Sequence, residues 1–266
     1  MADRDFQDGR PAPAPGLLAG QAGRAVSLFG LVVVWWAAAY IAASPQLLPG
    51  PIPVVAFAWN GLCDGTLPWN IAITLARVVA AFTVAMVAGG VLGYMAGRSP
   101  RVDALLDPWA VVALNLPVLV VVVLVYIWVG LNDTAAVLAV AIAKAPTVFV
   151  TIREGARAMD RDFEELGTVF RIPRGRRLRH IEWPQLVPFI AAAARSGLSI
   201  TWKIVLVVEL LGRPNGIGFI LNLYFQNFDV AGILAYGLTF AAIMLVIETA
   251  FLQPWERRVN AWRRHA

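Results

Sequence analysis

Five charged residues lie inside stretches that are otherwise apolar: Arg77, Lys144, Arg195, Lys203 and Glu209. A charge at the centre of a membrane span costs roughly 2.5–3.5 kcal/mol on insertion scales, so such residues face a bundle interior or a water-filled cavity. The chemistry open to four cations there is electrostatic: a path they border would attract an anionic solute. Eight residues of α-helix turn through about 800°, which leaves Arg195 and Lys203 about 80° apart and able to border one cavity. A structural reading stands beside this one, in which Arg195 snorkels, Lys203 pairs with Glu209 or Glu248, and Arg77 snorkels or caps a neighbour's carbonyls. Asn115, next to Pro117, is a further polar candidate for the lining of the path. Covalent and metal chemistry find little support. Cys63 is the single cysteine and no Cys/His spacing fits a metal. His180 and Glu182 could act as acid and base in a membrane-embedded enzyme, but a lone His-x-Glu among arginines is weak support for one.

The elements that must position these residues follow from composition. Hydrophobic residues make up 59% of the chain and charged ones 15%, with a mean hydropathy of +0.68, beyond the usual range of a soluble domain. The apolar residues come in blocks close to the length that crosses about 30 Å of hydrocarbon. The blocks are roughly 25–43, 71–97, 109–131, 134–152, 186–211 and 230–252. A transmembrane β-barrel would need alternating strands of about ten residues, and the blocks do not alternate. The expectation is an all-α integral membrane protein of about six helical spans. Seventeen of the 22 Lys and Arg residues fall on one side of those spans, and only Arg213 on the other. That asymmetry puts both termini and the segment 153–184 in the cytoplasm. The net charge of +5 is then a matter of topology, and nucleic-acid binding is not needed to explain it.

The chain divides into a disordered cytoplasmic tail (1–24), a membrane domain (25–252) and a basic cytoplasmic tail (253–266). Within the second span Ala81, Ala85, Gly89, Gly93 and Gly97 recur at every fourth position, a smooth stripe that lets another backbone come close. Asn115, Leu116 and Pro117 are expected to break the third span, and Lys144, Ala145 and Pro146 the fourth. The segment 153–184 holds eight arginines and six acids. At about 30 residues, with helix-forming stretches and a corner at Pro173–Gly175, it reads as a folded surface element; the alternative is a solvated basic loop that touches anionic membrane lipid headgroups.

That segment resembles the EAA loop of ABC importer permeases, E-A-A, three residues, G, nine residues, I-x-L-P. Glu165, Ile181 and Pro184 fall in register. The resemblance runs from about Thr74 to Glu248. Thr74, Leu75, Ala76 and Arg77 with Gly89 and Gly93 look like the opening helix of the nitrate/sulfonate/taurine branch. Leu106, Asp107 and Pro108, then Leu116 and Pro117, then Trp128, Val129 and Gly130 are similar to it in turn. Trp202 and Lys203 with Glu209, followed by Gly216, Ile217 and Gly218, match its fifth span and outer loop. The motif's two alanines are Leu166 and Gly167 here, and its glycine is Arg171; the sharp turn that glycine permits is expected to move to Pro173–Gly175.

The resemblance implies a type I importer permease fold with cytoplasmic coupling helices in a bacterial inner membrane. It implies a homodimer of this chain, two cytoplasmic ABC ATPase subunits that hold ATP and magnesium, and an extracytoplasmic solute-binding protein. The chain has no G-x-x-x-x-G-K-[ST] with which to cradle phosphates, so it is expected not to be an enzyme and to bind no cofactor. The ATPase contact would involve Glu165, Gly167, Arg171, Pro173, Gly175, Ile181 and Pro184, and Gly216 and Gly218 would shape the outer loop. The cargo would be a small solute of the nitrate, sulfonate, taurine or bicarbonate class. An ion-coupled secondary transporter, with intramembrane Lys, Arg and Glu as relay, is the alternative; its usual mark, an internal repeat, is not found.

Overall fold

The computed structural model describes residues 17–160 and 169–260. Helix α1 (Leu17–Ala42) comes first, followed by α2 (Pro51–Cys63), α3 (Thr66–Arg98), α4 (Pro100–Asn115), α5 (Val118–Val129) and α6 (Asp133–Arg157). After residues 161–168, a turn at Arg174–Arg177 and a wider π-helical turn at Leu178–Glu182 lead into α7 (Trp183–Gly212). Helices α8 (Ile217–Gln226), α9 (Val230–Ile247) and α10 (Gln253–Asn260) complete the order. No strand occurs among the described residues.

Local chemistry sets the helix starts. Pro100 sits in the first turn of α4, where its missing N–H is no loss, and Ser99 caps that turn by accepting from the Val102 amide. Asn132 caps α6 through the Ala135 amide at 2.8 Å, and Asp229 caps α9 through Gly232 at 3.0 Å. Gly130, with φ of 92°, closes the corner between α5 and α6, a conformation that glycine adopts without steric cost.

Four helices are long and apolar enough to cross a membrane: Thr66–Arg98, Asp133–Arg157, Gly175–Gly212 and Val230–Trp255. The expected span at 109–131 is a bent pair. Leu116 and Pro117 take extended backbone angles, and α4 and α5 diverge by 101°. The other expected break is absent. Helix α6 runs through Pro146 without interruption, so the kinking proline is absorbed inside the bundle. The expected first span corresponds to α1, whose apolar part, Phe29–Ala42, is shorter. The stretches 44–70 and 212–229, read from sequence as loops, hold the short apolar helices α2 and α8.

The bundle is built around α3 and α6. Along the small-residue stripe their backbones nearly touch. A Cβ added at Gly89 would lie 2.5 Å from the Ala145 carbonyl oxygen, and one at Gly93 2.5 Å from that of Phe149. Ala81 and Ala85 continue the same buried face. Helix α7 closes onto this pair, and Val78, Val122, Tyr126, Val140 and Val205 fill the space between. A second core, of Val54, Leu67, Ile217, Tyr236 and Phe240, joins α2 and α3 to α8 and α9. Small and β-branched residues dominate because helix association in lipid is driven by close packing rather than by burial from water.

Gly93→Val tests the stripe. Forcing the helices apart should cost about 2–3 kcal/mol and lower the unfolding midpoint in detergent by several degrees. Gly90→Ala, which meets nothing within 4 Å, should leave the midpoint unchanged.

Candidate functional site

At the end of the bundle opposite Arg153 and Glu182, three separated stretches of the chain, 70–77, 131–133 and 209–218, meet in one buried polar network. Its centre is the Glu209 carboxylate, fully buried near the end of α7. One oxygen accepts from Arg77 Nη1 at 2.7 Å. The other accepts from Thr74 Oγ1 and from the Gly218 amide, each at 2.9 Å. Thr74 Oγ1 in turn accepts from the Ile217 amide at 2.8 Å, and Asn70 Oδ1 from the Gly216 amide at 2.8 Å. Asn70, Thr74 and Arg77 share one face of α3 because they are spaced at three and four residues.

The Arg77 guanidinium is divided among three elements. Besides Glu209 it donates to the Asn215 carbonyl at 2.9 Å and to the Asn215 side chain, and it pairs with Asp133 at 2.7 Å at the start of α6. Asp133 also pairs with Arg213 at 3.1 Å, and Arg213 donates to the Leu131 carbonyl at 2.8 Å. Two arginines therefore face two carboxylates, and the loop after α7 is sewn to α3 and α6. Both glycines of the loop are required by contact. Gly216 has φ of 102°, and a Cβ there would lie 2.4 Å from the Glu209 carboxylate; a Cβ on Gly218 would meet the Leu206 carbonyl oxygen at 2.2 Å. Arg77, Glu209, Gly216 and Gly218, expected in two separate groups, thus form one structure. Three donors and full burial tie the Glu209 carboxylate into the structure rather than leaving it facing an open path.

Lys144 stands apart from this network. It lies near the middle of α6, its residue 2% exposed, and its Cε is 3.4 Å from where a Cβ would sit on Gly197 near the middle of α7. Phe82 of α3 closes the same spot, 3.2 Å from that position. No ion pair or hydrogen bond compensates the ammonium among the described residues. Lys203 is exposed on α7, with Nζ 5.5 Å from the centroid of the Trp202 ring, and Arg195 is exposed on the same helix. Lys203 does not pair with Glu209, which Arg77 holds. Asn115 is exposed and donates to the Val111 carbonyl of its own helix at 2.8 Å.

At the basic end, α4 and α6 are joined by charge. Arg153 pairs with Asp103 at 3.2 Å and with Asp107, the acid of the Leu106, Asp107, Pro108 motif, while Arg157 also pairs with Asp103. Of the residues expected at the ATPase contact, Glu165 and Gly167 lie outside the described residues. Arg171, at the family's glycine position, takes φ of 48°, the left-handed conformation in which glycine is favoured. The turn has therefore not moved to Pro173–Gly175: Gly175 lies within the turn Arg174–Arg177, which starts with the Arg176 and Arg177 amides bonded to the Pro173 carbonyl. Ile181 is half-buried, and Pro184 falls in the first turn of α7. Lacking an N–H, Pro184 comes directly after the π-helical turn in which the Trp183 amide closes onto the Leu178 carbonyl.

One residue that sequence reasoning cast only as a catalytic base has a different setting. Glu182 is 5% exposed and accepts from Tyr94 Oη and from Arg177 Nε at 2.9 Å. His180 is exposed, with Nδ1 3.1 Å from the Arg176 carbonyl oxygen, and no contact joins it to Glu182. The two do not form an acid–base pair. Arg177 is five residues from Glu182, but Tyr94, the partner that ties it to α3, is 88 residues away and left no signal in the local sequence.

The profile of the family described as "Binding-protein-dependent transport system inner membrane component" matches residues 89–252. The taurine transport system permease protein of Escherichia coli is 26% identical over 238 residues, covering 87% of this chain and 86% of that protein. The bicarbonate transport system permease protein of Synechococcus elongatus is 24% identical over 243 residues, covering 86% of each. Among solved structures, an inward-facing methionine ABC transporter superposes with a TM-score of 0.65 at 14% identity, over 74% of this chain and 97% of that one. An amino acid ABC transporter does so with a TM-score of 0.61 at 19% identity, over 76% and 98%. These two likenesses show the fold.

The Arg77–Glu209 pair yields a double-mutant prediction. Arg77→Met leaves a buried carboxylate without its counter-charge and should cost about 3–5 kcal/mol. Arg77→Met combined with Glu209→Leu should be less damaging than either single change predicts by addition, as read from thermal unfolding midpoints in detergent. Strict additivity would show that the pair is not the centre of the network.

Proposed function

Because this chain belongs to the binding-protein-dependent transport system inner membrane components and is a permease subunit of an ABC importer, we propose that its cargo is a small anion. The single observation that carries the anion is Lys144. Its side chain is buried midway along α3, α6 and α7, at the depth where transport folds place their cargo, and nothing in the described chain neutralises its charge. The other deeply buried charges among the described residues are paired: Arg77 with Glu209 and Asp133, and Glu182 with Arg177. A passing anion would supply the missing counter-charge, with exposed Lys203 and Arg195 on α7 as approaches to it. One relative is named for bicarbonate, an anion, and another for taurine, a zwitterion that carries a sulfonate; each solute presents an anionic group, which supports this reading.

The remaining parts follow from charge and topology. In sequence, 17 of the 22 cationic side chains fall on one side of the spans, which supports a cytoplasmic placement of that side and of both termini. The segment from Glu165 to Pro184 would then meet two cytoplasmic ATPase subunits that hold ATP and magnesium, with Gly167, Arg171, Pro173, Gly175 and Ile181 shaping the contact. A solute-binding protein would dock at the opposite end, over the loop pinned by Gly216 and Gly218. A second copy of the chain would complete the path, since one bundle cannot enclose it alone. An ion-coupled secondary mechanism is not favoured, as Arg77 and Glu209, its best candidate relay, are bonded to each other.

Lys144→Met tests the proposal. The variant should fold and assemble at least as well as the parent, because an uncompensated buried charge is removed. ATP-driven uptake of anionic substrate should fall at least tenfold, and Lys144→Arg should keep a measurable part of it. Parental uptake by Lys144→Met would remove the anion's counter-charge from the account.

A further inference from the structure

The two central helices that receive the coupling segment part company at its level. Near the opposite end α3 and α7 are joined by Thr74 and Arg77 to Glu209, and at mid-depth Phe82 packs over Gly197. Toward the basic end a groove of about 460 Å³ opens between them, lined by Met86, Gly90 and Val91 of α3 and by Trp183, Leu186 and Ile190 of α7. One polar assembly bridges the groove's end. Glu182 stands on the segment side, on the π-helical turn that feeds α7. Its Oε2 accepts from Tyr94 in the last turns of α3, and its Oε1 from Arg177 of the segment at 2.9 Å. Arg98, the last residue of α3, brings Nη2 to 3.9 Å of the same Oε1.

The placement is specific. A π-helical turn carries one more residue than an α turn and so rotates the helix beyond it. Here that turn directs a carboxylate inward, where it is buried, from a segment otherwise rich in exposed arginines. Past this point the helix continues without a break, the whole of Gly175–Gly212 being one helical stretch. Force applied to the segment therefore reaches α7 through the backbone. It can reach α3, on the far side of the groove, through the carboxylate.

We propose that Glu182 is a positioning residue for transport: a strut that carries motion of the coupling segment into α3 as well as α7, and that stays closed through the cycle. This rests on the reading of the segment as the ATPase contact. With the strut intact, α3 and the α6 packed along its glycines move with α7 as one body, so a displacement at the segment is delivered to the helices around Lys144. With the strut cut, the segment reaches α3 only indirectly, through the α6 that packs on α7 where Gly155 meets Phe189; the groove then takes up part of the motion, and ATP is hydrolysed with little transport.

The test uses the full complex of this chain with its ATPase and binding protein in proteoliposomes, in a Cys63→Ser background. Glu182→Ala and Tyr94→Phe should leave the ATPase bound and basal hydrolysis within about twofold. ATP-driven uptake, and the stimulation of hydrolysis by loaded binding protein, should fall at least tenfold for Glu182→Ala and severalfold for Tyr94→Phe. Joining Tyr94→Cys to Glu182→Cys with a short bis-methanethiosulfonate reagent should restore uptake to within about threefold, and reductant should abolish it again. Unimpaired coupling in both single variants overturns the proposal. So does loss of the ATPase or of the folded chain in both, since Glu182 would then serve assembly only. A crosslink that blocks uptake also overturns it, because the contact would have to open during the cycle. If the parent chain fails to retain the ATPase through its segment, the underlying reading of the segment fails instead.

Discussion

A carboxylate with no access to water must be satisfied by protein, and the demands of Glu209 organise one end of this molecule. An arginine, a threonine hydroxyl and a glycine amide converge on it from α3 and from the loop beyond α7. Each of those groups has a second obligation, to Asp133, to the Ile217 amide or to the start of α8, so one unmet charge becomes a lattice of cross-links. In a low-dielectric interior such a network is stable only when complete, because an orphaned member costs far more than a bond contributes. The loop that faces away from the basic segment is therefore rigid, and the glycines within it are dictated by the space the carboxylate leaves.

From that fixed end toward the other, the direct contact between α3 and α7 gives way. Helices α3 and α6 stay in backbone contact along the glycine stripe, while α3 and α7 diverge until a groove lies between them. A frame pinned at one end and open at the other suits a subunit that is pushed from the open end. Lys144 sits between the two regimes, near the middle of α6 and against the middle of α7, where a small change in helix separation would alter how exposed its charge is. Rigid end, central charge and levered end thus form one mechanical series.

Much of this was legible before any coordinates. The blocks of apolar residues, the stripe of small residues and the break at Leu116–Pro117 each depend on local spacing, and each has its counterpart in the fold. What escaped depends on contacts across the chain or on helices too short to announce themselves. Helices α2 and α8 are 13 and 10 residues long, below the length that separates a span from an apolar loop. Arg77 and Glu209 were visible as charges within spans, but their pairing across 132 residues was not. The turn at Arg171 shows the opposite case. Sequence moved the corner from Arg171, at the family's glycine position, to Pro173–Gly175; the backbone takes the left-handed angle at Arg171 itself. The groove bridged by Glu182 was invisible, since it requires knowing that α3 and α7 part at that level.

The central claim is that this subunit passes a small anion when a partner hydrolyses ATP. It is tested most directly by solute accumulation in proteoliposomes holding the chain with its ATPase, with binding protein on the outer face. Labelled bicarbonate and short alkanesulfonates would be compared with uncharged analogues of similar size. The account predicts ATP-dependent accumulation of at least one of the anions, little of the uncharged analogues, and no effect of ionophores that collapse ion gradients. Accumulation that needs an ion gradient and not the ATPase, or that favours the uncharged solutes, would contradict it.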